Sequence, residues 1–199
     1  HHTKERLYLQ GISLHSFFEE GRLLDAIAKL VTEGVTVRVL ILDPECPQAY
    51  FRSFRERLLK DDQISFEDYQ GRVKHRDEKL YRDTIESVRC IRSVLLPRNT
   101  GQNFDAKYYN SAPACFMLLA DNRVLVEQYH YGKNTPELAA APTILGKDMP
   151  LMEFTQVPSR LYPNSDDLRN TYKLLRNHFE FVFERTGLEI KELTQPSDA

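Results

Sequence analysis

Apolar positions along the chain switch between two spacings, and the switches mark the elements. "LYLQGISL" (Leu7 to Leu14) reads as a short strand. "GRLLDAIAKLVTEG" then places Leu23, Ile27, Leu30 and Val31 at i, i+4, i+7 and i+8, the stripe of an amphipathic helix that Gly34 ends. "VTVRVLIL" (Val35 to Leu42) is too apolar for a half-exposed strand and predicts a buried central one. Strand, helix and buried strand in that order make a βαβ unit, expected to be parallel and right-handed.

Asp43-Pro44 breaks the second strand, and Pro47 suits the first turn of a helix. That helix, predicted from Pro47 to Leu59, buries Phe51, Phe54 and Leu58 and turns Arg52, Arg55 and Arg57 elsewhere. The polar stretch from Lys60 reads as a loop with a short helical turn. A helix from Lys79 to Leu96 packs Leu80, Val88, Ile91 and Leu95 inward, and Pro97 and Gly101 punctuate its end. "NFDAKYYN", the hairpin "APACFMLLADNRVLVEQYHYGK" and "TILGKDMPLMEFT" are strand-like. Asp121-Asn122 is not the preferred Asn-Gly pair, so a turn slightly longer than two residues is expected. A last helix, Ser165 to Thr186, carries Leu168, Tyr172, Leu175, Phe179 and Val182 on one face and stops at Gly187.

At 199 residues the chain fits one domain that buries roughly 70% of its unfolded surface. His1-His2 reads as a tag remnant. The boundaries that follow are a tag remnant or disordered start over 1–6, one domain over 7–187 and a C-terminal tail over 188–199. A 41% hydrophobic, 28% charged composition with net charge −2 is that of a soluble globular protein and argues against a nucleic-acid-binding charge excess. Residues 52 to 98 hold twelve Lys/Arg against nine Asp/Glu, interleaved as helix-face pairs such as Arg52 with Glu56, which predicts a solvated face. No apolar run approaches the ~18–20 residues a membrane span needs. Cys46, Cys90 and Cys115 lie far apart without zinc-ligand spacing, so reduced thiols, a cytoplasmic location, and neither metal nor cofactor are expected. Cys46, after Asp43-Pro44, is the thiol placed where reactivity would be plausible.

The element order, with "GVTVRVLILDP" early and a hairpin late, resembles one half of the phospholipase D-like fold. That resemblance implies an α/β half-domain with a mixed, mostly parallel sheet flanked by helices on both faces. Active members bear H-x-K-x-x-x-x-D on the hairpin, the His as nucleophile and the Lys on the phosphate. Anchored on Asp121, the pattern puts Ala114 at the His position and Phe116 at the Lys position. Neither side chain can attack phosphorus or take up a proton. "VRVLILDP" and "EQYHYGK" together are similar to bacterial phospholipase D-like domains that lack the motif. The resemblance therefore implies a catalytically silent module within a larger regulatory protein, sensing a phosphorylated or nucleotide ligand. Active relatives pair two halves, so a lone half is expected to homodimerise.

The refashioned cleft would use Asp43, Arg55, His130, Tyr131 and Lys133. Asp43 stands where open α/β sheets bind ligands, with helix-start amides beyond it, although Asp-Pro is also common turn chemistry. His130 and Lys133 would line a pocket at the strand end, and a hydrogen-bonded histidine under a loop is the alternative reading. Arg38, a charge in a buried strand, is expected to form a structural ion pair. Two other functions stay open: a dimerisation scaffold without a small ligand, and a phosphodiesterase or nucleoside hydrolase using His130 as acid or base.

Overall fold

A computed structural model describes residues 3–19, 21–58, 65–72, 75–129, 150–156 and 170–191. Strand β1 (Arg6–Gly11) leads through helices α1 (His15–Glu19) and α2 (Gly21–Thr32) to β2 (Thr36–Leu42). Three helices follow: α3 (Pro47–Leu58), α4 (Phe66–Arg72) and α5 (Lys79–Cys90), the last prolonged by a wide π-type turn over Ile91–Leu95. Strands β3 (Phe104–Tyr109), β4 (Cys115–Ala120), β5 (Arg123–Gln128) and β6 (Met152–Thr155) come next. Helix α6 (Thr171–Phe181), continued as a π-type turn to Thr186, and the two-residue strand β7 (Leu188–Glu189) end the described chain.

The strands form one mixed sheet in the order β6-β5-β4-β1-β2-β3-β7. β1, β2 and β3 run parallel at its centre, as the βαβ pattern requires. The expectation of a mostly parallel sheet fails. β4 lies antiparallel on β1, β5 on β4, β6 on β5 and β7 on β3, so antiparallel neighbours outnumber parallel ones. A hairpin link needs no crossover, and β4 and β5 are joined by one.

Helices cover both faces. On one, Phe18, Ile27, Val31, Ile91 and Leu95 pack on Leu9, Val37, Val39 and Ile41. On the other, Tyr172, Phe179 and Phe183 pack with Tyr8, Leu40, Leu119 and Val124. Val37, Val39, Leu40, Ile41 and Leu42 are fully buried because both faces of β2 are roofed, which is why that stretch has no polar alternation. Arg38, the exception, pairs with Glu184 at 2.9 Å and lies 4.9 Å from the centre of the Phe183 ring, so the expected ion pair is present.

Several boundaries move. β1 ends at Gly11, and Leu14 takes φ 55° before α1, a helix of five residues that the apolar spacing does not announce. Phe51 is half-exposed rather than buried. Ala49, Ser53 and Phe54 of α3 are buried, while Phe51 turns toward Phe66 of α4, ring centres 5.9 Å apart. The side chain of Leu58, residue Leu168 and residues 143–149 lie outside the described residues. The turn between β4 and β5 has two residues, since Ala120 pairs directly with Arg123. The presumed disordered start and tail also shorten. Backbone N–H groups of Lys4, Glu5 and Arg6 are bonded to Asp121, β7 pairs with β3, and Ile190 is buried.

Candidate functional site

Parallel strands β1, β2 and β3 end together at Gly11, Leu42 and Tyr109, the edge at which open α/β sheets place ligands. The antiparallel partners bring the start of β4 and the end of β5 to that edge, because Cys115 pairs with Gln128. α3 begins there too, after the Asp43-Pro44 break. Six elements thus converge on one rim.

Asp43 gives one of its two carboxylate oxygens to the turn. Its Oδ1 accepts from the Glu45 N–H at 2.9 Å, and its carbonyl accepts from the Cys46 N–H, so it shapes the turn into α3. Arg55 is exposed and lies over the Phe51 ring, some eight residues into α3 and roughly 12 Å along the helix from its start. The structure therefore does not bring Asp43 and Arg55 together. His130, Tyr131 and Lys133 lie outside the described residues. Ala114 is exposed just before β4, its carbonyl accepting from the Tyr129 N–H, and Phe116 stacks on Phe17 on the α1 face, ring centres 5.0 Å apart.

Asp121 has a scaffold role. At φ 50° it sits in the β4–β5 turn, on the opposite edge of the sheet, and its two carboxylate oxygens accept from the N–H groups of Lys4, Glu5 and Arg6 at 2.9 to 3.1 Å. Burial raises its pKa, but those three donors outweigh burial and hold it below the ordinary carboxylate value.

Other residues occupy the rim. Tyr129 reaches across it, its hydroxyl oxygen accepting from the Ile12 N–H at 3.1 Å. The Arg52 guanidinium lies 5.5 Å from the centre of the Tyr129 ring and is paired through Nε to Glu56 at 2.7 Å. Gln10, Ser53 and Tyr109 are more than nine-tenths buried, and Gln10 Oε1, Ser53 Oγ and the Tyr109 hydroxyl have no hydrogen-bond partner among the described residues. Gln10 and Tyr109 face the same side of the sheet as Ala49 of α3, given the positions of Tyr8, Leu40 and Leu42 in that layer. An orphaned buried hydroxyl or amide costs about 1–3 kcal/mol, so three of them call for an explanation.

The electrostatics are quiet. Burial, then neighbouring Tyr129 and Cys115, push the Tyr109 phenol well above its ordinary value, and burial does the same for Tyr129. Burial also raises the thiols of Cys46 and Cys115, which removes the reactivity that Cys46's position suggested. At neutral pH these phenols and thiols are uncharged. The arrangement can hydrogen-bond a polar molecule but presents no activated nucleophile among the described residues.

Beside the rim, His75 is buried, with its imidazole stacked on Tyr50 and its Nε2–H donating to the Pro44 carbonyl. It ties the turn before α5 to the turn after β2. Sequence reasoning passed over His75, which sits in a polar stretch without apolar spacing. Gln10 was findable as the one amide in an apolar strand, and Ser53 as a hydroxyl in phase with Ala49. The pairing of Arg52 with Tyr129 had no local signal. Among the described residues no three His, Cys, Asp or Glu side chains come together, and no helix is long and apolar enough to cross a membrane.

No protein-family model matches the chain, and no curated protein sequence does. Among solved structures it is similar to TrmBL2, described as an archaeal chromatin protein that shows a novel mode of DNA binding. The TM-score is 0.42 and the identity 14%, over 95% of this chain and 46% of that one. The chain thus spans about half the length of that neighbour, and a likeness at this level decides neither fold family nor function.

Proposed function

We propose that this chain is a catalytically silent, phospholipase D-like module that holds a small phosphorylated or nucleotide ligand at the C-terminal edge of β1, β2 and β3. The observation that carries the reading is the set of buried, unpartnered polar groups on Gln10, Ser53 and Tyr109 beside the Arg52 guanidinium. Arg52 suits a phosphoryl group, and the neutral remainder of a nucleotide suits the amide and hydroxyls. Raised thiols and phenols favour binding over chemistry. Thermal-shift titration with adenosine monophosphate, adenosine and a generic phosphodiester tests the reading. A nucleotide-dependent rise in melting temperature that Arg52→Gln and Ser53→Ala both reduce supports it. Phosphodiester turnover by the purified chain, or no stabilisation by any of the three, counts against it.

A second copy as partner has its own observation. Leu174 and Phe181, two turns apart on α6, are 50% and 60% exposed, an apolar stripe on the outside of the C-terminal helix. Sedimentation should give twice the 23.2 kDa chain mass, and Phe181→Glu should return it to the monomer value.

A further inference from the structure

The edge opposite the proposed ligand rim carries an open cavity of about 340 Å³ between the start of β1, the β4–β5 turn and α6. Its walls are rich in hydrogen-bond donors. Lys4, Arg6 and Arg176 supply three cations, and the amides of Asn122 and Gln156 stand beside them. Two carboxylates also line it, Glu5 and Asp121. Asp121 is already spent, because both of its oxygens are taken by the N–H groups of Lys4, Glu5 and Arg6. Glu5 meets only one nitrogen of Arg6, at 3.2 Å, and its side chain is 71% exposed. Arg176 is paired through Nε to Glu180 at 2.9 Å and also bonds to the Tyr172 hydroxyl. A guanidinium has five N–H donors in a planar fork, so contacts of this kind leave part of each fork available.

The two arginines are also held in place. Their side chains are 24% and 34% exposed, and both act on the same hydroxyl, that of Tyr172. Tyr172 is buried and donates to the Asp121 carbonyl at 2.5 Å, which fixes the floor of the cavity to the turn. Partly buried, pre-positioned guanidinium groups lose less freedom on binding than surface chains do, and desolvation strengthens their contacts.

We propose that this cavity is a binding site for a phosphoryl anion, with Arg6 and Arg176 as the forks that grip it and Lys4 as the third cation. The chemistry asks for a compact, acceptor-rich anion, because the N–H donors outnumber the open acceptors and three cations stand against the two carboxylates of Glu5 and Asp121. The site is independent of the rim on the other edge, where the unpartnered groups are mostly neutral.

The test is a titration of the full chain with inorganic phosphate at low ionic strength, followed by amide chemical shifts and by calorimetry. Phosphate should shift the amides of Lys4, Arg6, Asn122 and Gln156. Arg176→Gln and Arg6→Gln should each weaken binding about tenfold or more, as expected for losing a charge-assisted fork. Lys4→Ala, at an exposed position whose loss does not threaten folding, should weaken it less but measurably, and added chloride should weaken all of them. Three results would overturn the proposal: no shift at millimolar phosphate in a chain that is folded by its spectrum, binding unchanged in Lys4→Ala and Arg176→Gln, or binding abolished by Arg52→Gln instead, which would assign the anion to the other edge.

Discussion

Replacing Tyr109 by phenylalanine removes one oxygen and nothing else from the proposed rim, and the structure makes the sign of the effect unusual. The side chain is 1% exposed, and its hydroxyl has no hydrogen-bond partner among the described residues. Deleting a satisfied buried hydroxyl normally destabilises a protein, whereas deleting an orphaned one relieves a desolvation penalty of about 1–3 kcal/mol. Tyr109→Phe should therefore stabilise the free chain by about 1 kcal/mol while the ring keeps its packing. In a chain of this size that amounts to roughly 2–4 °C in Tm. In urea the midpoint should rise by about 0.5 M with the slope unchanged. Tyr172→Phe is the matched control, because its hydroxyl does have a partner, the Asp121 carbonyl, and its loss should lower Tm by a similar amount. If nucleotide stabilises the parent chain, Tyr109→Phe should diminish that increment although the free variant melts higher. A fall in the Tyr109→Phe urea midpoint would refute the reasoning, since it would mean the hydroxyl is bonded in the free protein and is not waiting for a ligand.

Other outcomes follow from features on the same scaffold. Asp121→Ala should cost on the order of 2–3 kcal/mol, because three backbone N–H groups lose their acceptor, and the urea midpoint at neutral pH measures it. Because folding lowers the Asp121 pKa, its contribution is full above the unfolded value of about 3.9 and fades as pH falls through the lower folded value. The parent chain should thus lose more stability below about pH 4 than Asp121→Asn does. Gly187→Ala should destabilise by about 1–3 kcal/mol, since the new methyl would lie 2.7 Å from the Phe183 carbonyl oxygen and 2.8 Å from Lys107 Cδ. With burial raising their pKa, Cys46 and Cys115 should react with a thiol reagent at pH 8 far more slowly in the folded chain than in urea.

The parts of this molecule that a one-dimensional pattern reveals are those where one period governs one face. The parallel pair β1 and β2 was legible because a buried strand between two others cannot alternate, and Leu80, Val88, Ile91 and Leu95 were legible because helix α5 and its π-type extension bury them at helical spacing. Strand order on the β4 side was not, since an antiparallel strand with apolar residues on both faces reads the same whichever neighbour it takes. Phe51 misled because size suggested burial, while the small Ala49 packs in the layer of Leu40, Leu42 and Tyr109. At the rim, Asp43 was correctly placed at a strand end, yet its carboxylate serves the turn. Arg52 and Tyr129 meet only through the tertiary fold, and a sequence offers no trace of such a contact. Asp121 shows the same limit: an acidic residue closing a strand looked like the relic of a motif, and its three donors come from the far end of the chain.

The place of β1 in the sheet bears on how the chain is made. It is the earliest of the seven strands to leave the ribosome, yet it lies between β2 and β4, not at a border. Its second edge stays open until residues 115–120 have been synthesised, and its N-terminal end is not secured until Asp121 arrives. Through that interval Leu7, Leu9 and their neighbours present an uncovered edge of the kind that recruits other chains. A nascent segment of this length needs either shelter or speed. Variants that weaken the Asp121 clamp should therefore lower soluble yield from cells by more than their loss of equilibrium stability accounts for, and slower refolding at raised protein concentration should accompany it.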